Sequence, residues 1–214
     1  MRTVDWYFDF ISPFAYIAFE RLHTLPADVR IQYRPVLFAA LLDHWGQKGP
    51  AEIAPKRQWT FRWCTWLAQQ HGITLRAPAV HPFNPLPYLR LCLAADCNPD
   101  AIRTIYRAIW TTGADPESPE QHRALADSLG IDPARTADPA IKQALRDGTA
   151  SAAAAGVFGV PTLRIDGELF WGVDGMAFAA DFIRDPAVLD SPGMRAIDAL
   201  REGSVRRGAR GPAG

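Results

Sequence analysis

The chain predicts an α/β fold in which two strand-bearing units flank a long helical insertion. Three observations predict it. Thr3–Phe10 (T-V-D-W-Y-F-D-F) is dense in β-forming aromatic and branched residues. From about Phe38 to Ala155 strand-like runs disappear and helical periods dominate. Strand character returns late, in two short apolar runs on either side of Asp166-Gly167.

Each element has a local reason. Thr3–Phe10 suits a buried strand. Ser12-Pro13 then reads as a helix start, with Ser at the N-cap and Pro in the first turn, and the helix runs to about His23. Its buried face is expected to carry Phe14, Ile17, Ala18 and Leu22. Ile31–Val36 alternates as a second strand, with Pro35 marking an end or an edge. In the insertion, Pro55–His71 carries Trp59, Trp63, Trp66 and Leu67 at helical spacing and stops at Gly72. Leu86–Ala95 and Pro99–Thr111 are two more helices, broken at Asn98-Pro99. Pro119–Leu129 opens behind Ser118, and Asp138–Ala155 is alanine-rich and ends at Gly156. Pro161–Asp166 and Glu168–Trp171 form a hairpin, and a last helix spans Met176–Arg184.

The order β-α-β, helices, β-β-α is that of a thioredoxin-like domain with a helical insertion; an unrelated α+β fold with insertions would give the same string. On the first reading, residues 1–40 and 156–192 form a discontinuous thioredoxin-like domain. Residues 41–155 form the insert, and 193–214 a partly disordered tail.

Composition excludes several classes. The 214 residues are 48% hydrophobic and 21% charged, ordinary for a globular chain. Lys+Arg (23) balances Asp+Glu (23), so no basic excess is available for nucleic acid. Only the tail beyond Arg201 is locally basic, and it reads as a frayed terminus. No apolar run reaches the roughly 18 residues of a membrane span. The amino terminus lacks a signal peptide's apolar stretch, so the expected compartment is the cytoplasm. Cys64, Cys92 and Cys97 are odd in number with no C-x-x-C, and the five histidines are scattered, so neither structural disulfides nor a metal site is expected.

Three segments can carry chemistry. Ser12 sits at a helix N-terminus, where free N–H groups and the helix dipole stabilise an anion such as a thiolate; the plainer reading is a simple cap. Gly156–Leu163 (G-V-F-G-V-P-T-L) places two glycines and a proline before a strand. A cis Val160-Pro161 bond would expose the Val160 backbone to an extended peptide ligand; the alternative is an ordinary loop. Phe170–Met176 sets Asp174 in a glycine-flanked turn before a helix, as a cap or as the holder of a ligand ammonium. The aromatic group Trp59, Trp63, Trp66, Phe83 and Tyr88 reads as core rather than pocket, and Lys56-Arg57 as a solvated helix face.

Together these segments carry a resemblance. Y-F-D-F-I-S-P-F-A-Y (Tyr7–Tyr16), A-P-K-R (Ala54–Arg57), H-P-F-N-P-L-P (His81–Pro87), F-G-V-P-T (Phe158–Thr162) and F-W-G-V-D (Phe170–Asp174) occur in order. They resemble the 2-hydroxychromene-2-carboxylate isomerases, relatives of the kappa-class glutathione transferases and of the DsbA-like thioredoxin folds, from Val4 to about Ile183. The resemblance implies glutathione as cofactor and a homodimer. It implies Ser12 as the catalytic residue touching the glutathione sulfur. Val160 beside Pro161, with Gly172, Val173 and Asp174, would hold the tripeptide, Asp174 at its γ-glutamyl end. Gln47, Lys56, Arg57, Asn84 and Tyr88 fall on the substrate side, where a small aromatic acid needs a cation and apolar walls. Gln47 stands in G-Q-K where kappa-class members have G-N-K. Val173 and Gly175 stand where polar residues commonly flank the Asp, so a side-chain contact is lost while the Val173 N–H can still donate.

The implied reaction is reversible thiolate addition that opens the chromene ring, permits rotation and regenerates glutathione. A kappa-class-like transferase releasing a conjugate is the nearest rival. A non-enzymatic interaction module is a third. A dithiol redox cycle would need C-x-x-C where this chain has Ser12-Pro13-Phe14-Ala15.

Overall fold

The computed structural model describes residues 1–201 and 203. The arginine- and glycine-rich stretch expected to fray lies, beyond those, outside the described residues. Strand β1 (Arg2–Phe8) leads through a short connection into helix α1 (Pro13–Arg21), and β2 (Val29–Pro35) follows. Helices α2 (Phe38–His44), α3 (Ala54–Gln70), α4 (Leu86–Ala94), α5 (Pro99–Trp110), α6 (Pro119–Ser128) and α7 (Pro139–Ala154) make up the insertion. Strands β3 (Thr162–Ile165) and β4 (Glu168–Trp171), then helix α8 (Gly175–Arg184), complete the sheet unit. A short helix α9 (Pro192–Asp198) stands where the sequence reading expected the tail to begin. No helix is long and apolar enough to cross a membrane among the described residues.

The local signals explain the starts. Pro occupies the first turn of α1, and Ser12, Asn98, Ser118 and Asp138 each cap the helix that follows. Asp166 and Gly167 both have positive φ (52° and 98°), as the tight turn between β3 and β4 requires. Helix α2 carried no such signal: its N-cap, Leu37, makes no side-chain cap bond.

The sheet has the order β2-β1-β3-β4. β1 runs parallel to β2 and antiparallel to β3, and β4 is antiparallel to β3. Pro35 therefore sits both at the end of a strand and on an edge, where its missing N–H costs no ladder bond. Alternation along β1 sends Trp6 and Phe8 to one face, stacked at 4.4 Å, in one core with α1, α5 and α8. Tyr7 points to the other face, toward Val36, Leu41 and the alanines of α7. The insertion thus shares its core with the sheet: Ile105, Tyr106, Ile109 and Trp110 are all fully buried in the same cluster as β1.

One expectation about the insertion is corrected. Trp59, Trp63 and Trp66 are not core: they are 60%, 38% and 49% exposed and stack on one another along the outside of α3. The face of α3 that packs inward is Thr60, Cys64 and Ala68, one position round the helix. Small residues at i, i+4, i+8 let α3 approach its neighbours closely, which three indoles would prevent. Phe83 and Tyr88, from the same aromatic group, are core, at 4% and 1% exposure.

Candidate active site

The antiparallel register pairs Tyr7 with Thr162. It therefore sets the end of β1, where Ser12 follows, beside the start of β3, where Val160 and Pro161 precede. The Val160-Pro161 peptide is cis, and neither the N–H nor the carbonyl of Val160 has a hydrogen-bond partner among the described residues. The Gly172 N–H donates to the Pro161 carbonyl at 2.9 Å, drawing the β4–α8 turn to the same end of the sheet. Five residues named from the sequence, Val160, Pro161, Gly172, Val173 and Asp174, are thereby brought together.

Ser12 is both a cap and more than a cap. Its Oγ accepts the Ala15 N–H at 3.2 Å. Capping uses the oxygen as acceptor, and the hydroxyl hydrogen has no acceptor among the described residues. Pro13 has no N–H, and the Phe14 N–H is unpaired among the described residues. The end of α1 therefore offers an O–H and an N–H, reinforced by the helix dipole, to an anion.

Asp174 occupies the N-cap position of α8, yet its side chain makes no cap bond. It is exposed and has no ion-pair partner among the described residues. Gly172 has φ +87°, and a Cβ there would come within 2.4 Å of Asp174 Oδ1. Glycine at 172 is what lets the carboxylate lie over the turn.

At the start of α3, a cleft of about 710 Å³ is lined by Glu52, Pro55, Arg57, Gln58 and Phe61 together with two alanines. That is the size of a small-molecule site. Arg57 donates to the His81 carbonyl at 2.7 Å, and His81 Nε2 bonds the Ile11 carbonyl at 3.0 Å, so the cleft's cation is two hydrogen bonds from the residue before Ser12. Of the five residues expected on the substrate side, Arg57 lines this cleft. Lys56 and Gln47 are exposed, and Gln47 follows Trp45, whose indole N–H donates to Val157. Asn84 uses its side-chain oxygen to accept the Leu86 N–H at 3.1 Å, closing a turn just before α4.

Tyr88 is placed elsewhere. Its hydroxyl donates to the Pro116 carbonyl at 2.6 Å, and burial raises its pKa well above the ordinary tyrosine value, making it a weaker acid. Its ring faces a separate hollow of about 240 Å³ beside His122. A hydroxyl already committed to a core carbonyl has no proton to give a substrate.

Sequence reasoning passed over two residues. Asp9 is fully buried and accepts the N–H groups of Ile11 (3.1 Å) and Phe38 (2.8 Å). Burial outweighs these bonds and raises its carboxyl to about 7. His81 is the other; burial lowers its basicity. Both lie within the motif segments Tyr7–Tyr16 and His81–Pro87, but no local pattern states their partners. The cysteines belong to the insertion: Cys64 on α3 and Cys92 on α4 are buried, and burial raises the Cys64 thiol to about 12.

Comparison with known proteins places the fold in a family. The family model of the DSBA-like thioredoxin domain matches residues 3–184. The chain is 30% identical over 193 residues to a 2-hydroxychromene-2-carboxylate isomerase of Sphingobium xenophagum, covering 86% of this chain and 99% of that protein. It is 23% identical over 205 residues to human glutathione S-transferase kappa 1, covering 85% and 91%. A solved 2-hydroxychromene-2-carboxylate isomerase structure shares the fold with a TM-score of 0.72 at 23% identity, over 93% of this chain and all of that one. The helix N-terminus at Ser12, without a C-x-x-C, and the cis Val160-Pro161 bond sit on a DSBA-like thioredoxin scaffold. The chain belongs to the DSBA-like thioredoxin family and, within it, to the 2-hydroxychromene-2-carboxylate isomerase-like enzymes.

Proposed function

We propose that the protein is a glutathione-dependent isomerase that interconverts 2-hydroxychromene-2-carboxylate and trans-o-hydroxybenzylidenepyruvate, or a related intermediate of aromatic-compound degradation. The observation that carries this reading is that the unpaired Ser12 O–H and Phe14 N–H follow β1 at the end of the sheet where the unpaired Val160 backbone leads into β3. These groups fit glutathione. Val160 would hold the backbone of its cysteinyl part, Asp174 its ammonium, and Ser12 and Phe14 its sulfur. When bound, the tripeptide supplies a thiolate nucleophile that leaves again unchanged, and so serves as a cofactor.

The protein's own share is electrostatic. A free thiol titrates near 8.5, so about 3% is ionised at neutral pH. A hydrogen bond from Ser12 to the charged form is worth about 1.5–3 kcal/mol, which lowers that value by about 1–2 units. Arg57, at the cleft, can pair with a substrate carboxylate, and Phe61 supplies an apolar wall. The reading places the protein in the cytoplasm, whose glutathione pool is reduced. A homodimer is part of the same reading, and the exposed Trp59–Trp63–Trp66 stack is the apolar surface that supports it.

The test is direct. Purified, dialysed protein is incubated with the chromene carboxylate, with and without glutathione, and the ultraviolet spectrum is followed. Conversion that requires glutathione, with the tripeptide recovered unmodified by mass spectrometry, supports the isomerase. A glutathione conjugate as product supports a kappa-class-like transferase instead, the reading favoured by the human relative. The nucleophile is tested separately. A protein with Cys64, Cys92 and Cys97 all replaced by Ser, if folded by circular dichroism, is expected to keep its activity and its glutathione requirement. Activity lost in that folded protein, together with indifference of the wild type to glutathione, would assign the chemistry to a protein cysteine.

A further inference from the structure

We propose that three side chains of the helical insertion, His81, Tyr106 and Trp110, form a clamp that positions Ser12 by holding three successive carbonyls of the β1–α1 connection. The Asp9 carbonyl accepts the Tyr106 hydroxyl at 3.3 Å, the Phe10 carbonyl the Trp110 indole N–H at 2.9 Å, and the Ile11 carbonyl His81 Nε2 at 3.0 Å. All three donors come from the insertion, 70 to 100 residues along the chain from their acceptors.

The N–H side of the same connection is also committed. Ile11 donates to Asp9 Oδ1 and Ser12 to the Asp9 carbonyl, while Asp9 Oδ2 takes the Phe38 N–H. The carbonyls of Asp9, Phe10 and Ile11 and the N–H groups of Ile11 and Ser12 are thus all held within the protein. The Ser12 hydroxyl hydrogen and the Phe14 N–H, at the helix end itself, have no partner among the described residues and are left for a ligand. A carbonyl accepts and does not donate, so His81 carries its proton on Nε2. Its Nδ1 is buried among the rings of Phe61, Phe83 and Trp110, with no hydrogen-bond partner among the described residues. Donors that merely satisfied a buried loop could come from anywhere. Here one segment outside the sheet unit supplies all three, at consecutive residues leading into the helix end. Fixing that end before the anion arrives is what makes such a site effective, because no reorganisation is then needed.

Tyr106 and Trp110 are fully buried, so their loss would test folding as much as positioning. His81 is half-buried and separable. His81→Phe keeps a ring among its aromatic neighbours and removes the donor; His81→Gln keeps an N–H at similar reach. Arg57 is held by the His81 backbone carbonyl, which both variants retain. The substrate KM is therefore expected to stay within about twofold while kcat falls about tenfold, the effect of one such bond.

The catalytic part of this expectation rests on the proposed function; the structural part does not. Amide hydrogen exchange on the ligand-free protein should show Ile11, Ser12 and Ala15 exchanging about tenfold faster in His81→Phe, with β3 amides unchanged and with recovery in His81→Gln. Exchange that is unchanged, or that rises equally across β3, overturns the clamp. An unchanged kcat in a folded His81→Phe protein overturns its bearing on catalysis. Wild-type protein inactive toward the chromene carboxylate would defeat the functional reading instead, leaving the exchange result to decide the clamp.

Discussion

Ser12→Ala is expected to keep the fold and to lower kcat by about 10- to 1000-fold, the range for removing one anion-stabilising donor. Two effects of the change separate cleanly. The Ala15 N–H loses its cap, which costs about 1 kcal/mol of stability and shows as a modest drop in melting temperature. The thiol on the cofactor loses the hydroxyl's donated bond, which shows in turnover and in its pH dependence. Since that bond favours the charged form, its loss raises the thiol's pKa by about 1–2 units, and the activity profile moves to higher pH. Ser12→Thr retains an O–H and should recover much of the rate. Turnover is measured at saturating glutathione, with circular dichroism as the check on folding. Wild-type turnover in the alanine variant would remove Ser12 from the mechanism.

Asp174→Asn should raise the dissociation constant for glutathione by about 10- to 150-fold, the equivalent of a lost charge-assisted contact of about 1.5–3 kcal/mol. The substitution is isosteric, so the fit over Gly172 is kept and the change isolates charge. The residue has no other ionic partner to lose among the described residues, so stability should barely move. On the proposed reading the aromatic substrate is bound at the Arg57 cleft, whose lining does not include Asp174, so its binding should be unchanged. Calorimetric titration with glutathione decides it: equal affinity in the two proteins would assign the ammonium to another residue.

Much of the framework was legible because its signals are short-range. A capping hydroxyl, a proline in the first turn and an Asp-Gly hairpin act within four residues, so Ser12 at the end of α1 and the β3–β4 turn could be placed from the chain alone. The same holds for Val160-Pro161 and Asp174, each defined by its immediate neighbours.

What only the tertiary structure decided is of another kind. Periodicity marks a face of a helix without saying which way it points; on α3 two faces of equal spacing competed, and close packing chose Thr60, Cys64 and Ala68 over the tryptophans. Tyr88 looked available to a substrate until the insertion folded back and the Pro116 carbonyl took its hydroxyl. Asp9 and His81 stood in plain view in their motifs. Yet the Asp9 carboxyl is raised by burial beneath a helix that begins at Phe38, and the partner of His81 is a carbonyl 70 residues away. Local chemistry made the ends of the elements readable from sequence. Desolvation and long-range hydrogen bonds depend on which surfaces meet, and that is settled when the insertion packs onto the sheet.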